Sequence, residues 1–184
     1  MIYDFLKTLI LPLEEIDRAL PNHGKIIDLG CGQGIIAKHV AQNKNRTVIG
    51  VDLDQKRLEK SELANLRFEL ADIRNYNLKD ADAVILSDVL HHISFIDQDR
   101  VLENIKKSLK RRGLLIIKEI DTGEFVRSRL SRLWDFVFYP KEKIYFQNAK
   151  VLKKKLEGLG FKVLLKRPTR LFPGSTTLFV CKND

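Results

Sequence analysis

The sequence predicts an α/β domain whose mostly parallel β-sheet is covered by helices on both faces. Three observations point to it. Short apolar runs recur at Lys25–Asp28, Thr47–Val51, Leu66–Leu70, Ala83–Ser87 and Leu114–Lys118. Longer polar-apolar stretches separate most of them, as helices between strands do. A glycine-rich turn, Gly30-Cys31-Gly32-Gln33-Gly34, follows the first run directly. Apolar runs of this length without polar alternation are strands buried on both faces, and strands alternating with helices close into parallel βαβ units.

In chain order, Phe5, Leu6, Leu9, Ile10, Leu13 and Ile16 recur at helical spacing, so residues 1–24 are expected to form a helical cap that Pro12 should bend or split and Pro21, Asn22 and Gly24 should end. After the first strand a helix runs from Gly34 to about Asn43. A second is expected over Asp54–Leu63, a third over Gln98–Lys110 and a fourth over Ala149–Leu159, stopped by Gly158 and Gly160. Arg112-Gly113 is read as a turn before the fifth strand. The ending breaks the rhythm: Phe161–Arg167 and Thr176–Cys181 are strands joined by a short loop at Pro173-Gly174. A parallel return needs a crossover of a dozen or more residues, so these two are expected to be antiparallel.

With 184 residues the chain is expected to be a single domain. No apolar run approaches the ~20 residues that span a bilayer, and the N-terminus lacks the pattern of a signal peptide. Cys31 and Cys181 are far apart and read as free thiols, which points to the cytoplasm. The net charge of +9 is uneven: residues 1–99 hold 12 basic and 16 acidic side chains, residues 100–184 hold 21 and 8. That asymmetry suits an anionic partner, either a membrane surface, nucleic acid or an acidic ligand, and equally suits a solvated basic face.

The glycine turn is where ligand chemistry should lie. Glycine lets a backbone approach a ligand closely, and a following helix start offers free N–H groups. A dinucleotide fingerprint, G-x-G-x-x-G, uses them for a pyrophosphate. Here the spacing is one residue shorter, and Asp28 stands just before the turn. A carboxylate would repel a pyrophosphate and attract an ammonium. Asp52, at the end of the second strand, can accept from two ribose hydroxyls. Asp72 can accept from an exocyclic amine, and Ile73 can offer its N–H to a purine nitrogen.

The segments IIDLGCGQG (26–34), GVDLD (50–54), ADI (71–73), AVILSDVLHHI (83–93) and GLLIIKEID (113–121) together resemble the class I S-adenosylmethionine-dependent methyltransferases. The resemblance implies a Rossmann-like three-layer sandwich, with seven strands in the order 3-2-1-4-5-7-6 and the last one antiparallel. It implies S-adenosylmethionine as cofactor. Gly30 and Gly32 would pack against its methionine portion, with Cys31 as a small side chain in the same loop and Asp28 near the amino group. Asp52 would hold the ribose and Leu53 flank the adenine. Asp72 and Ile73 would read the adenine edge, and Ser87 and Asp88 would border the methionine tail.

Methyl transfer needs an aligned nucleophile and, for a protonated acceptor, a base. His91 and His92, after the fourth strand, are the candidate catalytic pair; the alternative is that they shape the loop or hydrogen-bond a neighbouring carboxylate. Glu119 and Asp121 also face the acceptor side, where solvation of the loop accounts for them. No metal site follows from the spacing of these four. The fourth strand lacks the Asn/Asp-Pro-Pro-aromatic turn typical of enzymes acting on base or glutamine amines, and no cysteine follows strand four or five as cytosine-C5 chemistry requires.

Residues 121–148 carry Phe125, Leu130, Leu133, Trp134 and Phe138 at helical spacing beside Arg127, Arg129 and Arg132. They read as a lid-like insertion over a small, hydrophobic or lipid-like acceptor, able to touch an anionic membrane, or as a helix packed on the sheet with a solvated basic side. The alternatives are an RNA-modifying enzyme using Lys106, Lys107, Lys110, Arg111, Arg112, Lys150 and Lys153–Lys155 against phosphates, and a non-catalytic cofactor-binding subunit. No oligomeric state follows from the sequence.

Overall fold

A computed structural model of the chain describes residues 11–58, 61–120, 144–167 and 176–184. In chain order the elements are α1 (Leu13–Ala19), β1 (Gly24–Leu29), α2 (Ile35–Val40), β2 (Arg46–Asp52), β3 (Leu66–Leu70), β4 (Ala81–Ser87), a 3-10 turn (Leu90–His92), α3 (Phe95–Ser108), β5 (Leu109–Ile120), α4 (Ala149–Gly158), β6 (Phe161–Lys166) and β7 (Thr176–Asn183). The seven strands form one sheet in the order β3-β2-β1-β4-β5-β7-β6. The pairs from β3 through β5 are parallel; β7 runs antiparallel to both β5 and β6. The expected architecture and strand order are those found.

Side chains alternate across a strand, so each strand feeds two cores. On one face Ile26, Val48, Ala83, Ile85, Ile116 and Leu178 meet Ile16 of α1 and Ile36, Ala37 and Val40 of α2. On the other, Ile27, Ile49, Val84, Leu86, Leu115 and Phe179 meet Val101, Leu102 and Ile105 of α3 and Leu152 and Leu156 of α4. Each fully buried aliphatic side chain contributes about 1.5–3 kcal/mol. Arg46, 2% exposed, locks α1 to the sheet: it donates to Pro21 O at 2.8 Å and Val40 O at 3.3 Å and pairs with Asp17. Both cysteines are free.

Pro12 sits at the N-cap of α1, and the part of the expected helix before it, residues 1–10, lies outside the described residues. Three local expectations are corrected. No helix occupies the described part of 54–63. A single turn forms, with Arg57 N donating to Asp54 O at 3.0 Å. The segment has only Leu58 and Leu63 as large apolar residues, and a helix without an apolar stripe has little to pack. The third helix starts three residues earlier than expected, where Ser94 Oγ accepts from Asp97 N at 3.2 Å. Arg112-Gly113 lies inside β5 as a bulge: Ala81 pairs with Leu109 and Ala83 with Leu114, and Arg112 adopts φ 65°.

Of the insertion at 121–148, residues 121–143 lie outside the described residues. Ile144–Gln147 lead into α4, capped by Asn148, whose side chain accepts from Lys150 N at 2.8 Å. Among the described residues no helix is long and apolar enough to cross a membrane.

Candidate active site

The carboxyl ends of β1, β2, β4 and β5 converge at the glycine turn, the place where open parallel sheets bind ligands. Gly30 N and Cys31 N both donate to Val51 O, at 2.7 and 3.0 Å, and Gly34 N closes the turn on Cys31 O at 2.9 Å. Gly30 and Gly34 have φ of 72° and 74°. A Cβ at Gly30 would meet Val89 Cγ2 at 2.5 Å, and one at Gly34 would meet Phe68 Cζ at 2.4 Å. Gly32, at φ 55°, faces open space, with no atom within 4 Å of a Cβ. The two outer glycines therefore serve packing, and the middle one leaves the approach clear. Gly30→Ala is expected to lower the melting temperature by several degrees through overpacking and left-handed strain. Gly32→Ala carries only the strain cost. Denaturation curves of the two variants check the ordering.

Asp28 is 1% exposed, and its Oδ2 has no hydrogen-bond partner. Burial, assisted by nearby Asp52, pushes its carboxyl up to about 7, and the backbone N–H of Ala37 only partly offsets this. Ser87 Oγ is likewise buried without a partner. Unpaired buried polar groups are costly and are retained where a ligand completes them. An ammonium donor fits Asp28, and an acceptor or hydroxyl fits Ser87.

Asp52, 8% exposed, braces the turn: Oδ2 accepts from Gly32 N at 2.7 Å and Oδ1 from Asp54 N at 2.9 Å. Each oxygen keeps a second lone pair, so the expected ribose contact is compatible with this bracing. Leu53, 66% exposed, and Leu70, 54%, flank the opening at the ends of β2 and β3. Ile73 is buried. Asp72 pairs with Arg74, whose Nε lies 2.9 Å from Oδ1, and this holds its carboxyl below the usual carboxylate range. An adenine amine would therefore share Asp72 with Arg74. Cys31 is partly buried, its Sγ 3.7 Å from Gly32 O, and burial pushes its thiol upward, away from the reactive thiolate.

The histidine turn differs most from expectation. His91 is 2% exposed. Its Nδ1 lies 2.7 Å from Glu119 Oε2, and its ring stacks on Phe146 at 5.1 Å. A ring so enclosed offers an acceptor little access, and its contact with Glu119 is the carboxylate pairing that stood as the alternative to a catalytic role. His92 is half-buried, its ring 4.2 Å from that of His91. Glu119 does not serve loop solvation. It is 7% exposed, and its Oε1 accepts from Val89 N at 3.2 Å and Leu90 N at 2.9 Å. Asp121 lies outside the described residues.

Gln98, 1% exposed, binds this turn to the end of the insertion. The two N–H groups of its Nε2 are shared among Leu90 O at 2.9 Å, Ile93 O at 3.1 Å and Tyr145 O at 3.1 Å, and Tyr145 N donates to His91 O at 2.8 Å. Phe95, 47% exposed, and Ile96, 67%, stand on the outer side, with Tyr145 edge-on to Phe95 at 5.4 Å. Sequence reasoning did not single out Gln98 or Lys118 for this site, and it placed Phe146 only among the aromatics of the insertion. Lys118 had a signal: a charge ending the apolar run Leu114–Ile117.

Comparison with known proteins adds the following. A family model described as "Methyltransferase domain" matches residues 4–166. A carboxy-S-adenosyl-L-methionine synthase of Actinobacillus succinogenes is 30% identical over 114 residues, 56% of this chain and 47% of that protein. An (S)-coclaurine N-methyltransferase of Thalictrum flavum subsp. glaucum is 30% identical over 104 residues, 52% of this chain and 28% of the relative. The chain thus matches less than half the length of these relatives. In fold it is similar to a SAM-dependent methyltransferase from Archaeoglobus fulgidus, with a TM-score of 0.74 at 17% identity, covering 98% of this chain and 99% of the other.

Proposed function

The chain belongs to the methyltransferase-domain family, and from that premise we propose that it moves a methyl group from S-adenosylmethionine to a small, hydrophobic or lipid-linked acceptor by in-line displacement. The observation that carries the reading is the buried, unpartnered Oδ2 of Asp28 beside a glycine turn whose middle residue has no side chain and open space before it. A phosphate ligand would be repelled there; a cationic amino acid would be held. Bound, the cofactor supplies a methyl on an already activated sulfonium.

The chain's own residues then supply binding and alignment, the main requirement for such a transfer. Asp28 takes the ammonium. Asp52 takes the ribose while keeping the turn in shape, and Leu53, Asp72 and Ile73 border the base. Where the acceptor must lose a proton, half-buried His92 is the accessible ring, and His91, bonded to Glu119, holds the turn that carries it.

The acceptor class is inferred from the wall beside this turn. Phe95, Ile96, Tyr145 and Phe146 present apolar and aromatic surface, and in the sequence Trp134 and Phe138 precede Tyr145. The basic residues of 121–148 suit peripheral contact with an anionic membrane. The RNA alternative is weakened by pairing. Lys110 is 2.8 Å from Asp82, Lys155 pairs with Asp99, Lys153 is 3.5 Å from Glu157, and Lys106 donates to Gly160 O at 2.8 Å.

Incubation of the protein with methyl-labelled cofactor and a cell extract tests the reading. Label is expected in an organic-extractable product. Label confined to RNA would overturn the acceptor assignment, and cofactor binding with no transfer at all would favour a non-catalytic subunit.

A further inference from the structure

Four polar side chains share one sheet face at the ends of four neighbouring strands. Strand register sets Asp28 beside Gly50 on β2 and Ile85 on β4. Two residues further on, Asp52, Ser87 and Lys118 therefore return to the same face, with Ser87 paired directly to Lys118. The row from β2 to β5 reads acid, acid, hydroxyl, ammonium. Two acids stand on the β1–β2 side; on the β4–β5 side stand Ser87 and Lys118, the latter paired with Asp88.

Lys118 is 5% exposed. An ammonium has three donors, yet among the described residues the one acceptor its Nζ reaches is Asp88 Oδ2. Asp88 is held by Lys118 twice, since Asp88 N also donates to Lys118 O at 2.9 Å, and it adopts a left-handed φ of 55°. A non-glycine residue in that conformation at a strand end is a strained position of the kind found at ligand sites. The remaining donors of Lys118 and the unpartnered Ser87 Oγ need an acceptor.

We propose that Lys118 and Ser87 bind the α-carboxylate of the cofactor while Asp28 binds its α-ammonium, so that the strand ends recognise the zwitterion as a unit. This rests on the cofactor reading above. Asp28 and Lys118 stand two strands apart and two residues offset, about 12 Å between Cα atoms by strand spacing and rise. An aspartate, an α-amino-acid group and a lysine together fill a gap of that size. Lys118 touches the cofactor and not the acceptor, and its part is affinity and alignment of the methionine tail.

The test compares two probes by calorimetry: S-adenosylhomocysteine, and its decarboxylated analogue, which keeps the amine and the nucleoside. The wild-type protein is expected to prefer the former by about 10- to 100-fold, the usual worth of charge-assisted hydrogen bonds. Lys118→Met should erase most of that preference by weakening S-adenosylhomocysteine alone; Lys118→Arg should keep part of it. Ser87→Ala, a mild change expected to fold, should reduce the preference about threefold or more. An unchanged ratio in Lys118→Met, or in Ser87→Ala should Lys118→Met fail to fold, overturns the carboxylate assignment while leaving the cofactor reading intact. Wild-type protein that binds neither probe overturns the cofactor reading itself.

Discussion

Replacing Asp28 with asparagine is expected to stabilise the ligand-free protein and to cripple cofactor binding, two effects of opposite sign from one atom pair. In the folded chain burial holds the Asp28 carboxyl neutral up to about pH 7. In the unfolded chain it ionises near pH 4. Below pH 4 both states carry the proton and nothing is lost. Between about 4 and 7 only the unfolded state has released it, so stability falls as pH rises; above 7 the penalty is constant. Its ceiling is roughly 4 kcal/mol. Asp28→Asn removes it, so the variant should melt several degrees above wild type at pH 8 and close to it at pH 4.

Ligand binding reverses the sign. An ammonium wants the carboxylate, so wild-type affinity for S-adenosylhomocysteine should fall by up to tenfold per pH unit below 7, with a proton released on binding. Asp28→Asn should flatten this profile and bind about 10- to 100-fold more weakly at pH 8. Melting curves and calorimetry across pH 5–8 check both halves. A variant that binds like wild type at pH 8 would remove the ammonium site. Loss of binding coupled to gained stability is the usual trade-off at a functional site.

The second large effect is at Glu119. Glu119→Ala strips Val89 N, Leu90 N and His91 Nδ1 of their acceptor inside the protein. Unsatisfied buried donors cost about 1–3 kcal/mol each, and the whole loss is expected near 3–5 kcal/mol. For a chain of this size that is a melting point lower by about 10 °C. Glu119→Gln retains one oxygen for the backbone and should lose far less. Its amide would face His91 Nδ1 as a donor, and the ring proton should then move to Nε2, which nitrogen-15 NMR detects. Hydrogen exchange at Val89 and Leu90 should quicken in Glu119→Ala. Wild-type exchange and melting in that variant would show that the carboxylate does not hold the turn.

Legibility in the sequence followed the kind of force at work. β1, β2 and β4 were readable because buried parallel strands must be continuously apolar, and Ile26-Ile27, Val48-Ile49 and Val84-Ile85-Leu86 are. Asp28 was readable because an acid between such a run and a glycine turn has few roles. The limits of β5 and β7 were not, since Leu109 joins the sheet through Ala81 across a bulge, and Lys182 joins it through Leu114. The helix expected over 54–63 failed because good local propensity had no apolar stripe to dock. For His91 the sequence left two roles open, a part in catalysis or a bond to a neighbouring carboxylate. Glu119, 28 positions away, and Phe146 enclose it, and neither contact leaves a mark in local pattern.

By itself the sequence determined the fold class, the strand order through its family resemblance, and the strand ends where a ligand would lie. These depend on periodicity and on glycines and acids at adjacent positions, which are local properties. Only the tertiary structure decided which polar groups are paired. Asp28 and Ser87 keep unpartnered atoms, Glu119 is spent on His91 and two backbone amides, and Lys118 meets Asp88. Pairing depends on strand register and burial, through which residues tens of positions apart come within about 3 Å. No spacing along the chain encodes that distance.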